Sequence, residues 1–227
     1  MALVIGQVIF PRNPLTLVSK ASQPILEAVV RAFDRVADAL ARGDIELAEG
    51  GLTRLRSLDP QITEFYDALA VARETAWLSP PHRRARGQLR SYADASGAVD
   101  LLVRNARAVA RAGLTAVRRE SDPDAELIEA IRVLGAAARS LGEHLADPAL
   151  AVHTQRLAAA AAHRATDVLR RRHDLSTSVL VGQVRATAFD LLRGSGLDAE
   201  AAREAIGPPA EEAVSRGGGS PGGPGRP

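Results

Sequence analysis

Along most of the chain the apolar residues recur at every third and fourth position, the spacing that places them on one face of an α-helix. Leu127, Ile131, Leu134, Ala138, Leu141 and Leu145 keep heptad spacing, and Ile62, Phe65, Leu69, Ala72 and Ala76 do the same after Asp59. Ile25, Val29, Phe33, Val36 and Leu40 make one face after Pro24, with Arg31, Asp34, Arg35 and Asp38 spread over the other. Pro24 lacks an amide hydrogen and crowds the preceding turn, so it should kink or restart that helix. Between Gln88 and Arg119, a further seam runs through Val99, Leu102, Ala106, Val109, Gly113 and Val117. Two more helices are predicted at about residues 148–172 and 176–192, followed by a turn at Gly194-Ser195-Gly196 and a short acidic helix at 198–205. No segment shows the alternation of a strand.

Start signals divide these stripes. Asn13-Pro14, Asp59-Pro60, Asp122-Pro123 and Asp147-Pro148 each set a good N-cap before proline at the first helical position, where the missing N–H is no loss. The pattern predicts an all-α fold: an elongated antiparallel bundle of six to eight helices over residues 13–206, its first helix projecting, with left-handed packing where heptads are strict. Phe65, Tyr66 and Trp77 should all be buried in its core. Residues 207–227, rich in glycine and proline, have little to bury and read as a disordered tail.

Residues 1–12 stand apart. The apolar run from Met1 ends at Phe10, before Pro11 and Arg12, which is roughly half the ~20 residues a spanning helix needs. It reads as the end of a membrane helix, with the rest of any membrane part supplied from outside these residues. The other reading is a short apolar segment folded back on the bundle. A secretory signal does not fit, because no basic residue precedes Arg12 and no Ala-x-Ala site follows.

Composition narrows the chemistry. Aromatic residues are 3% of the chain, so the core is built from aliphatic side chains and alanine, and the absence of cysteine removes disulfides, thiolate metal sites and cysteine nucleophiles. Lys20 is the one lysine beside 28 arginines, and the formal net charge is +2. Residues 81–120 carry a local balance of +6 and residues 121–147 one of −4, so neighbouring helices of opposite sign should pair their polar margins. Arg104, Arg107, Arg111 and Arg118 line one flank of their helix as a basic stripe. Nucleic acid is a disfavoured partner for it, because only Tyr92 lies near for stacking and no docking motif accompanies it.

Catalytic and metal chemistry find little support. His144, His153, His163 and His173 recur at nine or ten residues, not at the i, i+4 spacing that puts two ligands on one helical face. Asp122, Asp124, Glu126 and Glu129 occupy a first helical turn, where acids favour the dipole. Ser176-Thr177-Ser178 sits where an N-cap is wanted, and Gly194-Ser195-Gly196 has no strand before it, so neither is a nucleophile elbow. The expectation is no enzyme, no metal and no cofactor.

Three stretches carry a resemblance: Phe10-Pro11-Arg12-Asn13-Pro14-Leu15; Ala72-Arg73-Glu74-Thr75-Ala76 with Leu78-Ser79-Pro80 and Arg83, Arg84 and Arg86; and Val103-Arg104-Asn105-Ala106-Arg107. With the Ala-rich helices around them, they resemble the cytoplasmic C-terminal region of actinobacterial fusaric-acid-resistance (FUSC family), aromatic-acid-exporter-like membrane proteins. The resemblance implies a cytoplasmic helical regulatory or assembly domain of a transporter, partnered by a membrane or transmembrane helical bundle and by further copies of itself through helix packing. Its place would be the cytoplasmic face of the plasma membrane. Phe10, Pro11, Arg12 and Lys20 would then be membrane-proximal, the two cations following the positive-inside tendency. Arg83, Arg84, Arg86 and Arg90, in a Pro-bounded turn, would meet anionic headgroups or a partner at about 1 kcal/mol per charge. The stripe Arg104, Arg107, Arg111 and Arg118 would serve a partner or nucleic acid. The alternatives are a soluble helical adaptor in the cytoplasm and, less favoured, a nucleic-acid-binding helical protein.

Overall fold

The computed structural model describes residues 14–78 and 83–208, which form eight α-helices, one 3₁₀ turn and no strand. The helices are α1 (Pro14–Arg42), α2 (Ile45–Arg56), α3 (Asp59–Leu78), α4 (Arg83–Arg118), α5 (Ala125–Ala146), α6 (Ala151–Val168), α7 (Leu175–Gly194) and α8 (Ala199–Ile206). The chain is thus an all-α helical bundle. Among the described residues no helix is long and apolar enough to cross a membrane.

The predicted stripes are the core. Leu127, Ile131, Leu134, Ala138, Leu141 and Leu145 of α5 are buried, as are Val99, Leu102, Ala106, Val109 and Val117 of α4. Helices α1, α4, α7, α6 and α5 form a closed ring of neighbours; α2 and α3 cover the α1–α4 side, and α8 packs on α6 and α7. The first helix does not project. It meets α2, α3, α4 and α5, and a single stripe cannot serve so many neighbours, so Ala28, Val30, Ala32, Ala37 and Ala39 are buried beside Ile25, Val29, Phe33, Val36 and Leu40. Glycine lets two partners come close: a Cβ on Gly113 of α4 would lie 2.7 Å from Val36 Cγ1, and one on Gly142 of α5 would lie 2.9 Å from Leu26 Cδ1.

Several local expectations need correction. α1 runs unbroken from Pro14 to Arg42 and does not restart at Pro24. At Asp122-Pro123 the cap is two residues later, where the Asp124 carboxylate accepts from the Glu126 amide (2.9 Å). Asp147 ends α5 and its carboxylate accepts from the Ala149 amide at 3.0 Å, so Pro148–Leu150 is a 3₁₀ turn and α6 opens at Ala151. Asp59 lies inside the first turn of α3. Helix α2 opens at a cap the pattern did not flag, Asp44, which accepts from the Leu47 amide at 2.9 Å. Tyr66 is 41% exposed, because it lies about 100° round α3 from the fully buried Phe65. The Trp77 side chain, residues 1–13 and residues 209–227 lie outside the described residues.

Candidate interaction surfaces

Of the membrane-proximal set, Phe10, Pro11 and Arg12 lie outside the described residues, whereas Lys20 is exposed on the second turn of α1. Arg83, Arg84, Arg86 and Arg90 are not in a turn: α4 begins at Arg83, so all four are helical, and their side chains lie outside what is described.

The structure brings the stripe of α4 together with acceptors of its own chain. Arg107, with 24% of its side chain exposed, donates through Nε and Nη2 to the Leu55 carbonyl (3.0 and 2.9 Å) and through Nη2 to Asp59 Oδ1 (2.7 Å). One guanidinium therefore satisfies a carbonyl at the end of α2 and an acid at the start of α3, and such charge-assisted bonds are the stronger kind. Arg118 pairs with Glu49 of α2, and Arg104 pairs with Asp100 one turn away at 3.2 Å. The Arg111 side chain alone of the four has no hydrogen bond or ion pair among the described residues.

The charge blocks do not pair with each other. α4 barely touches α5, and its arginines find acids on α2 and α3. The acids of the α5 start face arginines at the end of α6 instead. Glu126 meets Arg164 (2.7 Å), Asp124 meets Arg171 (3.2 Å) and Asp122 meets Arg172 (2.8 Å). The backbone amide of Glu126, helped by Arg171 and Arg172, holds the Asp124 carboxyl below the usual carboxylate range. These residues are joints between α5 and α6, a role set by topology.

Three further polar side chains join helices of the bundle. Arg185 of α7, half-buried, donates to the Ile206 carbonyl (3.1 Å), the Gly207 carbonyl (2.8 Å) and the Thr166 hydroxyl, closing the end of α8, while burial lowers the pKa of its guanidinium. His163 holds the Ala205 carbonyl at 2.9 Å. Asp190 of α7 accepts from the Asn105 amide of α4, yet burial raises its carboxyl above the usual range. The histidines do not assemble: His153 meets Arg156, His163 fastens α8, and no group of three metal-ligating side chains forms among the described residues.

Open grooves lie between the helices, two of them of similar size. One, of about 380 Å³ between α1 and α5, is roofed by small residues Ser19, Ser22 and Gly142, and holds the Gln23–Glu27–Arg31 chain (3.0 and 3.2 Å). The hydrogen bonds from Gln23 and Arg31 hold Glu27 below its ordinary pKa. The other, of about 370 Å³ between α4 and α7, is walled by Ala108, Ala112 and Thr115 on one side and by the exposed Leu175 and Val179 on the other, with Arg111 and Arg119 along its rim. Periodicity could not flag it, because the groove needs the antiparallel pairing of two helices far apart in sequence.

No family model, no curated protein and no solved structure matches the chain.

Proposed function

We propose that this chain is a helical regulatory or assembly domain without catalytic activity of its own, working beside a membrane as the cytoplasmic part of an aromatic-acid-exporter-like protein. The position of α1 carries the reading. α1 follows the apolar residues 1–10 and the Pro11-Arg12 step, and it is the helix against which α2, α3, α4 and α5 all pack. Close-packed interiors move as units. A displacement of the N-terminal end of α1 is therefore passed to four neighbours, and the close seats of Gly113 and Gly142 leave it little room to slip. Lys20, exposed on α1 between the buried Val18 and Ala21, adds a cation eight residues after Arg12 along the chain.

Flotation with liposomes containing anionic lipid tests this, comparing the full chain with a version that starts at Asn13. Flotation of the full chain alone supports the reading. If neither floats, residues 1–12 belong to the bundle and the soluble adaptor is the better account. If both float, the binding resides in the bundle's own cations, with Arg83, Arg84, Arg86 and Arg90 the first to replace.

A further inference from the structure

Among the described residues six arginines reach across helix boundaries and each meets an acid: Arg107, Arg118, Arg132, Arg164, Arg171 and Arg172. Arg111 and Arg119 have no such partner among the described residues, and they flank a groove whose wall carries exposed aliphatic side chains, Leu175 at 69% and Val179 at 44%. The α4 wall is low, because Ala108, Ala112 and Thr115 let another backbone approach. An apolar trough with two unpaired cations on its rim fits a helix that carries an aliphatic stripe flanked by carboxylates.

The same chain presents such a helix. The outer face of α3 holds Ala70 and Val71, the latter 48% exposed, with Asp67 and Glu74 one turn to either side of Val71. Neither carboxylate has an ion-pair partner among the described residues, and Glu64 continues the acidic face toward the N-terminus. Asp67, Val71 and Glu74 share one side of the helix by their i, i+4, i+7 spacing. At 1.5 Å per residue Asp67 and Glu74 stand about 10 Å apart along α3, while Arg111 lies in α4 and Arg119 just past its end, so each surface carries its two charges on either side of an aliphatic centre. The two surfaces are complementary in sign and share apolar content.

We infer that the α4–α7 groove is the seat for α3 of a second copy of this chain. The contact is heterologous, joining two different patches. It therefore satisfies every copy only in a closed pair or ring, or grows as a chain. The inference does not depend on a membrane, so it stands or falls separately from the flotation result.

Sedimentation velocity of the full chain over a wide concentration range is the test, with two charge-reversed variants, Arg111→Glu/Arg119→Glu and Asp67→Arg/Glu74→Arg. The wild type should self-associate and should do so less at high salt, since these charges are solvent-facing. Each variant alone should associate at least tenfold more weakly, because its groove and its α3 then carry the same sign. An equimolar mixture of the two should recover association, since an acidic groove meets a basic α3 and the reverse. Recovery on mixing also shows that both variants are folded, and Arg111→Gln/Arg119→Gln provides a milder version. A wild type that stays monomeric at every concentration, an association indifferent to either variant, or a mixture that fails to recover would each overturn the inference.

Discussion

Gly113→Ala places one methyl group where α4 presses on the central helix. Its Cβ would lie 2.7 Å from Val36 Cγ1, about 0.7 Å inside the 3.4 Å at which ordinary contact begins. Val36 is 1% exposed and β-branched, so in a helix its χ1 has one strongly preferred setting and it cannot swing away. The helices must part or Val36 must leave its rotamer, and overpacking of this kind costs about 1–3 kcal/mol. Replacing a helical glycine by alanine returns about 1 kcal/mol of backbone entropy, which leaves a net loss of about 1 kcal/mol. Val36→Ala alone, which deletes two buried methyl groups, costs about 2 kcal/mol. In the double variant the new methyl occupies space that Val36 vacated, so the total should be about 1 kcal/mol, well short of the sum of the two. Equilibrium urea unfolding followed by far-UV circular dichroism reads all three values, with Gly97→Ala as the control. Gly97 is exposed on the same helix with nothing within 4 Å of its added Cβ, and its replacement should stabilise by about 0.5–1 kcal/mol. If Gly113→Ala stabilises as Gly97→Ala does, or if Gly113→Ala and Val36→Ala add within about 0.5 kcal/mol, the close seat of α4 on α1 is refuted.

Three further outcomes follow from the polar joints. Arg107→Ala strips the Leu55 carbonyl and Asp59 of their shared donor and should cost about 1–3 kcal/mol in urea unfolding, with Arg107→Lys recovering only part because an ammonium has no planar fork. Arg185→Ala should weaken the α8 seat by about 1–3 kcal/mol, seen as faster amide exchange at residues 199–206 while the α1 core keeps its protection. Asp190→Asn should stabilise the protein at neutral pH. Burial raises the folded-state pKa of Asp190, so its ionisation is penalised in full above that raised value and the penalty disappears as pH falls below the ordinary carboxylate range. The advantage of the asparagine variant in urea unfolding should shrink along that descent, and an advantage that grows on acidification would contradict the assigned shift.

Much of the architecture is legible from single residues. The stripes of α4 and α5 are buried as their spacing predicts, Gly194-Ser195-Gly196 ends α7 with Gly196 at φ 99°, and Asp198 caps α8 through the amides of Glu200 and Ala201. These features are local: a 3.6-residue period, a left-handed glycine and a side-chain oxygen three residues from an amide all act within one or two turns. Asp-Pro steps were less decisive, because a cap two residues later, such as Asp124, competes for the same helix start.

What the sequence determined by itself is that these residues are helices and which face of each is apolar. Which helices meet was decided by tertiary packing. The central place of α1 needed close approach at Gly113 and Gly142, and residues that far apart meet only once the ring of helices closes. The arginine stripe of α4 shows the same division: its spacing is written in the chain, but whether each guanidinium is spent or free depends on α2 and α3 arriving with Leu55, Asp59 and Glu49. Among the described residues the Arg111 side chain meets no acid, because its neighbour across the groove, α7, presents Leu175 and Val179 there. Electrostatic partners are set by distances of a few ångströms across the fold, and those distances are absent from the order of the residues.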